Sequence, residues 1–171
     1  RDLAIDNDLL VLSDEVYEKL IFEGEHVSIG SLDGMRERTI TVNGFSKAYA
    51  MTGWRLGWLV CTQDLLENIA KIQTHSITCA TSFAQKAGLT ALKEKEKGKE
   101  AIQGMMDKYR KRREVIIKRL NDIPGFHCPK PNSTFYTFPR YDYDMDSMEM
   151  AMHLLENAKV ATTPGAAFGD Q

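Results

Sequence analysis

Short apolar runs separated by turn-forming residues characterise the first sixty residues of the chain. Residues 9–12 form a continuous apolar run, and residues 39–42 and 56–61 form two more of similar length. Runs this short are typical of strands buried in a parallel sheet. Residues 1–8 have the composition of a helix end. We therefore predict a helix end followed by three strands.

Helical periodicity replaces these runs in the middle of the chain. Between residues 65 and 72, apolar side chains recur at the spacing of one face of an amphipathic helix. Ser82 and Gln85 have the spacing of a capping box, which predicts a second helix over residues 82–92. Two consecutive helices are therefore expected after the third strand.

A third helix, longer than the others, is indicated by an apolar stripe over residues 102–120, and Pro124-Gly125 would end it. The charged run KEKEKGKE at 93–100 predicts a solvated helix end or connector before it. The basic run KYRKRR at 108–113 predicts the solvated face of the same helix rather than a nucleic-acid patch, because acidic residues flank it.

The last third of the chain is mixed. Residues 134–138 and 159–162 are predicted as short strands, and residues 147–158 as a helix. Strand and helix alternation, followed by a long helix and a smaller mixed segment, predicts an α/β large domain that leads into a second domain.

Composition narrows the function classes. The 171 residues include 43% hydrophobic and 27% charged residues, with a net charge of −2, so neither nucleic acid nor a membrane is an expected partner. Three widely spaced cysteines and four histidines show no metal-ligand spacing, so no metal site is expected, and a reduced, cytoplasmic protein is favoured. The chain begins at Arg1 without a methionine, and we expect it to be a piece of a longer protein.

Two segments carry the candidate chemistry: SDEVYEKL at 13–20 and NGFSKAYAMTGWRLGW at 43–58. Each directly follows a predicted strand, which puts polar side chains where open α/β sheets bind ligands. Asp14, which follows a predicted buried strand, supplies a buried carboxylate, and Tyr17 supplies a phenol. Lys47 has small or apolar neighbours, so its amine loses solvation and can act as a nucleophile or base. Arg55 is a planar donor suited to phosphate. A phosphorylated aldehyde cofactor requires this combination.

Both segments resemble the class I aminotransferases of the fold-type I pyridoxal-phosphate family, whose lysine motif reads S-K-x-x-x-M-T-G-W-R-x-G. The resemblance implies that Lys47 carries pyridoxal 5'-phosphate as a Schiff base and then shuttles protons. It implies that Asp14 pairs with the pyridine nitrogen, Tyr17 binds the ring oxygen and Arg55 binds the phosphate. Ser46 would add a phosphate hydrogen bond. In many relatives that hydroxyl lies three residues before the lysine, where this chain has Gly44.

The resemblance also implies a domain organisation. Residues 1–99 would be part of the large cofactor-binding domain, with a mixed, mostly parallel sheet. Residues 100–123 would be the long inter-domain helix, and residues 124–171 part of the small α+β domain. KPNSTFYTFP at 130–139 resembles the small-domain strand of these enzymes, and VATTPGAAFG at 160–169 resembles the short turn that precedes their substrate-carboxylate arginine. A homodimer is implied for the full-length parent, with amino acids and 2-oxo acids as its substrates.

Other functions are compatible with the same residues. A C–S β-lyase or a cyclopropane-forming synthase would share Lys47, Asp14 and Arg55 with a transaminase. A transcription regulator with an aminotransferase-like domain is a non-enzymatic alternative. The 171-residue chain in isolation is expected to be a folded but inactive fragment, and its sequence does not name the amino acid that the parent uses.

Overall fold

The structure, a computed structural model, describes residues 1–169. The chain divides into two compact units. The first comprises Arg1–Ile117 and Lys130–Thr137, and the second comprises Lys118–Pro129 and the chain from Phe138 onward. Among the described residues, no helix is long and apolar enough to cross a membrane. The predicted domain over residues 124–171 extends two residues beyond those described.

A mixed sheet organises the first unit. After helix α1 (Asp2–Asp6), the three strands are β1 (Val11–Asp14), β2 (Thr39–Gly44) and β3 (Gly57–Val60). Strand β2 lies in the centre, parallel to β1 and antiparallel to β3. Asp14 is opposite Val42, and Gly44 is opposite Gly57. The carboxyl ends of β1 and β2 and the amino end of β3 therefore meet at one edge of the sheet.

The predicted helix end and all three strands are present, but the burial expected for the first strand is wrong. Leu9 and Leu10 precede β1 and are 46% and 62% exposed, and Leu12 within it is 71% exposed. Strand β1 is the outermost strand on one side of the three-stranded sheet, and half-buried and exposed side chains alternate along it. An apolar run does not reveal whether its strand is central or at an edge.

Three helices follow the sheet: α2 (Gln63–Ser76), α3 (Ser82–Lys93) and α4 (Lys95–Asn121). Helix α4 begins five residues before the predicted start, so most of the charged run belongs to its first turns, with ion pairs such as Lys99–Glu96 at 3.0 Å. The capping box predicted for α3 is wrong. Thr81 is the N-cap residue, and the Gln85 side chain donates to the Ala80 carbonyl instead.

Close approach of backbone and side chains explains two glycines in this unit. A Cβ atom on Gly57 would lie 2.8 Å from the Asn43 carbonyl oxygen across the β2–β3 pair. A Cβ atom on Gly88, in α3, would lie 2.6 Å from Leu56 and 2.8 Å from the Phe45 ring. Glycine at position 88 therefore lets α3 pack directly on the residues that flank the turn between β2 and β3.

The core of the first unit joins that turn to the long helix. Its buried centre consists of Leu20, Ala48 and Met106, which are 0%, 3% and 3% exposed. The partly buried side chains packed against it are Tyr17, Phe22, Tyr49, Ile102, Met105 and Tyr109. Because Ala48 directly follows Lys47, this core fixes the backbone that carries the candidate catalytic amine.

Arg113 corrects the expectation that the whole basic run is solvated. Its side chain is 8% exposed and lies 4.4 Å from the Phe22 ring. The guanidinium donates to the Pro131 carbonyl at 2.8 Å and to Glu23 at 3.1 Å. One arginine of the run thus joins α4 to two loops.

The segment from 132 to 137 pairs with the chain that follows Tyr17, but it is not the predicted strand. Ile21 and Ser133 form an isolated antiparallel bridge, and the Thr134 amide donates to the Leu20 carbonyl at 2.8 Å. Thr134 has φ +63°, a left-handed conformation that interrupts extended backbone. This pairing brings residues 135 and 136 towards Tyr17.

The second unit is smaller. It contains an antiparallel pair, β4 (Phe126–His127) and β5 (Arg140–Tyr141), and helix α5 (Ser147–His153), which continues as a π-helical turn over Leu154–Ala158. This confirms the predicted helix over 147–158. Asp146 and Glu149 form a capping box at its start. The strand predicted at 159–162 is wrong, because Lys159 is left-handed and the Val160 amide bonds back to Leu154.

Candidate active site

Three of the candidate residues from the sequence lie at the edge of the sheet where β1 and β2 end and β3 begins. Asp14 is the last residue of β1, Lys47 lies three residues after the end of β2, and Arg55 lies two residues before β3. Because β2 is parallel to β1 and antiparallel to β3, all three positions are at the same edge. The topology therefore brings a carboxylate, an amine and a guanidinium to one place.

Lys47 lies on a tight turn that begins at the end of β2. The amide of Tyr49 donates to the Phe45 carbonyl, and the amide of Ala50 donates to the Lys47 carbonyl. Lys47 Nζ is 5.8 Å from the centroid of the Tyr17 ring and 5.5 Å from that of Phe135. The half-buried amine is thus held beside two aromatic rings.

Tyr17 is surrounded by aromatic side chains. Its hydroxyl is 2.6 Å from the Tyr136 hydroxyl, and its ring contacts Phe135 and Tyr136 edge-on, both with centroids at 5.7 Å. Burial raises the pKa of the Tyr17 phenol well above its ordinary value of 10.0, and the Tyr136 hydroxyl and the Asp14 carboxylate raise it further. The phenol therefore keeps its proton at neutral pH, and its hydroxyl is hydrogen-bonded to that of Tyr136.

Asp14 does not have the environment expected from the sequence. We predicted a buried acid, but its side chain is exposed at the end of the edge strand β1. Its Oδ1 accepts a hydrogen bond from the Val16 amide at 3.1 Å, which fixes the carboxylate against the turn that leads to Tyr17. The residue is thus positioned by the backbone, with a face open to solvent.

Arg55 and Ser46 complete the predicted set. Arg55 is exposed, has φ +49°, and donates to the Thr52 carbonyl at 2.9 Å. Its left-handed conformation ends the short 3₁₀ helix Thr52–Trp54 and turns the chain into β3. Ser46 is half-buried on the same turn as Lys47. Both residues are at the sheet edge that carries Asp14.

Sequence reasoning missed three residues of this site. Phe135 and Tyr136 contact Tyr17 through a pairing of segments more than a hundred residues apart, and no local pattern indicates it. Glu15 is 6% exposed and hydrogen-bonded to His26, a histidine to which the sequence assigned no role. The sequence signal that could have indicated Glu15 was its position directly after Asp14.

The donor set can be tested against a phosphorylated pyridine aldehyde. An aldehyde needs an amine, which Lys47 supplies. A pyridine nitrogen needs an anionic partner, which Asp14 supplies. The ring oxygen needs a hydrogen-bond donor, and the Tyr17 hydroxyl can serve because its raised pKa keeps it protonated. A phosphate needs a cation, which Arg55 supplies. The four side chains fit this cofactor in type, and they share one sheet edge.

Comparison with known families gives the class of protein. The sequence model of the family described as aminotransferase class I and II matches residues 1–170. The chain therefore belongs to that family, and the resemblance found in its sequence is confirmed.

Individual relatives agree with this assignment. An aspartate aminotransferase of Pyrococcus abyssi is 47% identical over 170 residues, which are 98% of this chain and 43% of that protein. An aromatic-amino-acid aminotransferase 2 of Thermococcus litoralis is 45% identical with the same coverage. The crystal structure of an aromatic aminotransferase from Pyrococcus horikoshii OT3 superposes with a TM-score of 0.93 at 46% identity, over 99% of this chain and 45% of that one. The fold class predicted from the sequence is confirmed. The chain spans less than half the length of these relatives.

Proposed function

We propose that this sequence is part of a pyridoxal-phosphate-dependent aminotransferase, which transfers the amino group of an amino acid to a 2-oxo acid. The observation that carries the proposal is the position of Lys47 Nζ, 5.8 Å from the Tyr17 ring at the sheet edge that also carries Asp14. The first unit would belong to the cofactor-binding domain of the parent, and the second unit to its small domain. The parent would be a homodimer.

Each predicted residue has a separate task in this proposal. Lys47 would hold the cofactor through its Nζ. Asp14 would accept the hydrogen bond of the pyridine nitrogen and keep that nitrogen protonated. Tyr17 would donate its hydroxyl proton to the ring oxygen. Arg55 would bind the phosphate, with Ser46 as a second donor. Membership of the family supports these roles, as does the shared sheet edge.

Pyridoxal phosphate, when bound, supplies an aldehyde that exchanges amino groups and a ring that withdraws electrons from the substrate α-carbon. The protein supplies the base. Lys47 Nζ would take the α-proton of the amino acid. Tyr17 keeps its own proton because of its raised pKa, and Asp14 would lie beside the pyridine nitrogen as its hydrogen-bond partner.

Two relatives supply a hypothesis for the substrate. They are named as aspartate and aromatic-amino-acid aminotransferases. We propose that the amino donor belongs to one of these two classes, with a 2-oxo acid as acceptor. A panel of acidic and aromatic donors, assayed with the full-length protein that carries this sequence, would choose between them.

Covalent labelling of the full-length protein tests the role of Lys47. Borohydride reduction of the cofactor-loaded protein should fix the cofactor on the peptide that contains Lys47, because only an amine forms the reducible bond. The matched control is Lys19→Ala, an exposed lysine near Tyr17, which should label as the wild type does. Lys47→Ala should show no label. A label on another lysine of the wild type would contradict the proposal.

A second measurement separates transamination from its rivals. With an amino donor and 2-oxoglutarate, a transaminase forms glutamate and the 2-oxo acid of the donor in equal amounts. A β-lyase forms ammonia and no glutamate, and a cyclopropane-forming synthase also forms no glutamate. A regulator domain would bind the cofactor without turnover. Ammonia without glutamate would replace this proposal by the lyase alternative.

A further inference from the structure

Glu15 is a buried side chain beside the site with four hydrogen-bond partners. Its Oε1 accepts hydrogen bonds from Ser13 Oγ at 3.1 Å, Ser28 Oγ at 2.9 Å and the Ile29 amide at 3.3 Å. Its Oε2 is 2.9 Å from His26 Nε2. Burial opposes ionisation of Glu15, but the hydrogen bonds from His26, Ser28 and Ser13 outweigh it and lower the pKa.

The backbone of Glu15 is where the chain leaves strand β1. Its amide donates to the Val42 carbonyl at 2.8 Å, which extends the ladder by one residue, and its carbonyl accepts from the Glu18 amide at 2.9 Å, which starts the turn to Tyr17. Consecutive side chains of an extended strand point to opposite faces. A carboxylate of Glu15 fixed on one face therefore directs Asp14 to the other.

The loop that contains His26, Ser28 and Ile29, the partners of the Glu15 carboxylate, is itself fixed against the sheet. The short 3₁₀ helix Ile29–Ser31 lies against β2, and a Cβ atom on Gly30 would be 3.2 Å from Thr41 Oγ1. Because of this contact, the Glu15 bonds connect the end of β1 to a loop supported by the central strand. The turn between Asp14 and Tyr17 is thereby held by side-chain bonds in addition to the backbone ladder.

A metal site is the other interpretation of this cluster. Potential ligand atoms of Glu15, Glu18 and His26 lie within 4.8 Å of one another. The Glu15 carboxylate already has four protein partners, one of them a backbone amide, so a cation would have to displace them. The bonding pattern favours a structural anchor.

We propose that Glu15 is a positioning residue, whose bonds to His26, Ser28 and Ile29 hold Asp14 and Tyr17 in the orientation that the cofactor requires. The inference rests on the proposed function, because it gives Asp14 and Tyr17 their cofactor roles. In this role Glu15 would act through Asp14 and would not itself bind the cofactor.

The test uses the full-length protein and three variants, Glu15→Ala, Glu15→Gln and Glu18→Gln. Glu18→Gln is the matched control, since it removes the same charge from the same turn. The dissociation constant of pyridoxal phosphate and the pH midpoint of the bound cofactor's absorbance are measured for each. Thermal unfolding of the cofactor-free protein is followed separately.

Glu15→Ala should weaken cofactor binding by about tenfold, as loss of a residue that supports a metal ligand does at metal sites, and should shift the absorbance midpoint. Glu15→Gln, which keeps an acceptor oxygen, should restore most of the affinity, and Glu18→Gln should match the wild type. If Glu15→Ala does not fold, Ser28→Ala removes one of the donors and should weaken binding by about threefold.

Two results would overturn the inference, and they are distinguishable. If the wild type binds the cofactor and the Glu15 variants keep its affinity and absorbance midpoint, with only their unfolding temperature lowered, Glu15 is merely structural. If the wild type shows no cofactor absorbance at all, the proposed function fails, and this inference fails with it.

Discussion

Gly88→Ala tests how helix α3 packs on the turn that carries Lys47. The added methyl group would lie 2.6 Å from Leu56 Cδ2 and 2.8 Å from Phe45 Cζ, which is far inside van der Waals contact. The Phe45 ring cannot easily move away, because the rings of Tyr49 and Trp58 lie 5.2 and 4.8 Å from it. The Phe45 ring is therefore held in place against the added methyl group.

The magnitude follows from two opposing effects. Overpacking a dense core costs about 1–3 kcal/mol, whereas alanine is favoured over glycine in a helix by about 0.8–1 kcal/mol. The net effect should lower the free energy of unfolding by about 0–2 kcal/mol relative to the wild type. The matched control is Gly104→Ala in helix α4, where an added Cβ has no atom within 4 Å, so only the propensity gain remains.

Urea unfolding of the full-length protein, followed by tryptophan fluorescence to which Trp54 and Trp58 contribute, measures both variants. Trp58 contacts Phe45, and Trp54 lies 6.1 Å from Phe83 on helix α3, so the signal reports on this packing. Gly88→Ala should unfold at lower urea than the wild type and Gly104→Ala at equal or higher urea. A Gly88→Ala protein as stable as the Gly104→Ala control would refute the packing argument.

Three further predictions concern single side chains. Asp14→Ala should weaken pyridoxal-phosphate binding by about 10- to 100-fold, because it removes a charge-assisted hydrogen bond to the cofactor. Absorbance titration measures the affinity, and a near-normal value would exclude the proposed role. Arg113→Met should lower the free energy of unfolding by about 1–3 kcal/mol, since the Pro131 carbonyl loses its donor, whereas the exposed Arg112→Met should change little in the same urea assay. The lowered pKa of Glu15 means that its ionised form stabilises the fold above its ordinary value of 4.5, and that this contribution is lost as the pH falls through the folded-state pKa. The stability difference between wild type and Glu15→Gln should therefore be larger at pH 7 than at pH 3.5, and a difference independent of pH would contradict this.

Local patterns were sufficient to predict the elements that carry the candidate site. The three apolar runs became strands, and the polar residues placed after them lie at one sheet edge, because the end of a strand fixes where the next residues emerge. The positions of Asp14 and Lys47 relative to the sheet could therefore be predicted. Their roles at the cofactor stay a prediction.

Features that depend on distant parts of the chain could not be predicted. The burial expected for Asp14 was wrong because burial depends on whether β1 is central or at an edge. The strand expected at 134–138 was wrong because Thr134 adopts a left-handed conformation in order to pair with Leu20. The contact between Tyr17 and Tyr136 depends on that pairing, so no window of sequence around either residue contains it.

Three of the candidate site residues lie directly before residues that fix the backbone. Asp14 and Arg55 are exposed and Lys47 is half-buried, and each is followed immediately by a buried residue. These are Glu15 at 6%, Ala48 at 3% and Leu56 at 9% exposure. Because a buried neighbour fixes the backbone, the chemical group can face solvent and still have a defined position. Substitution of a site side chain should then change cofactor binding with little effect on folding, whereas substitution of its neighbour should change both.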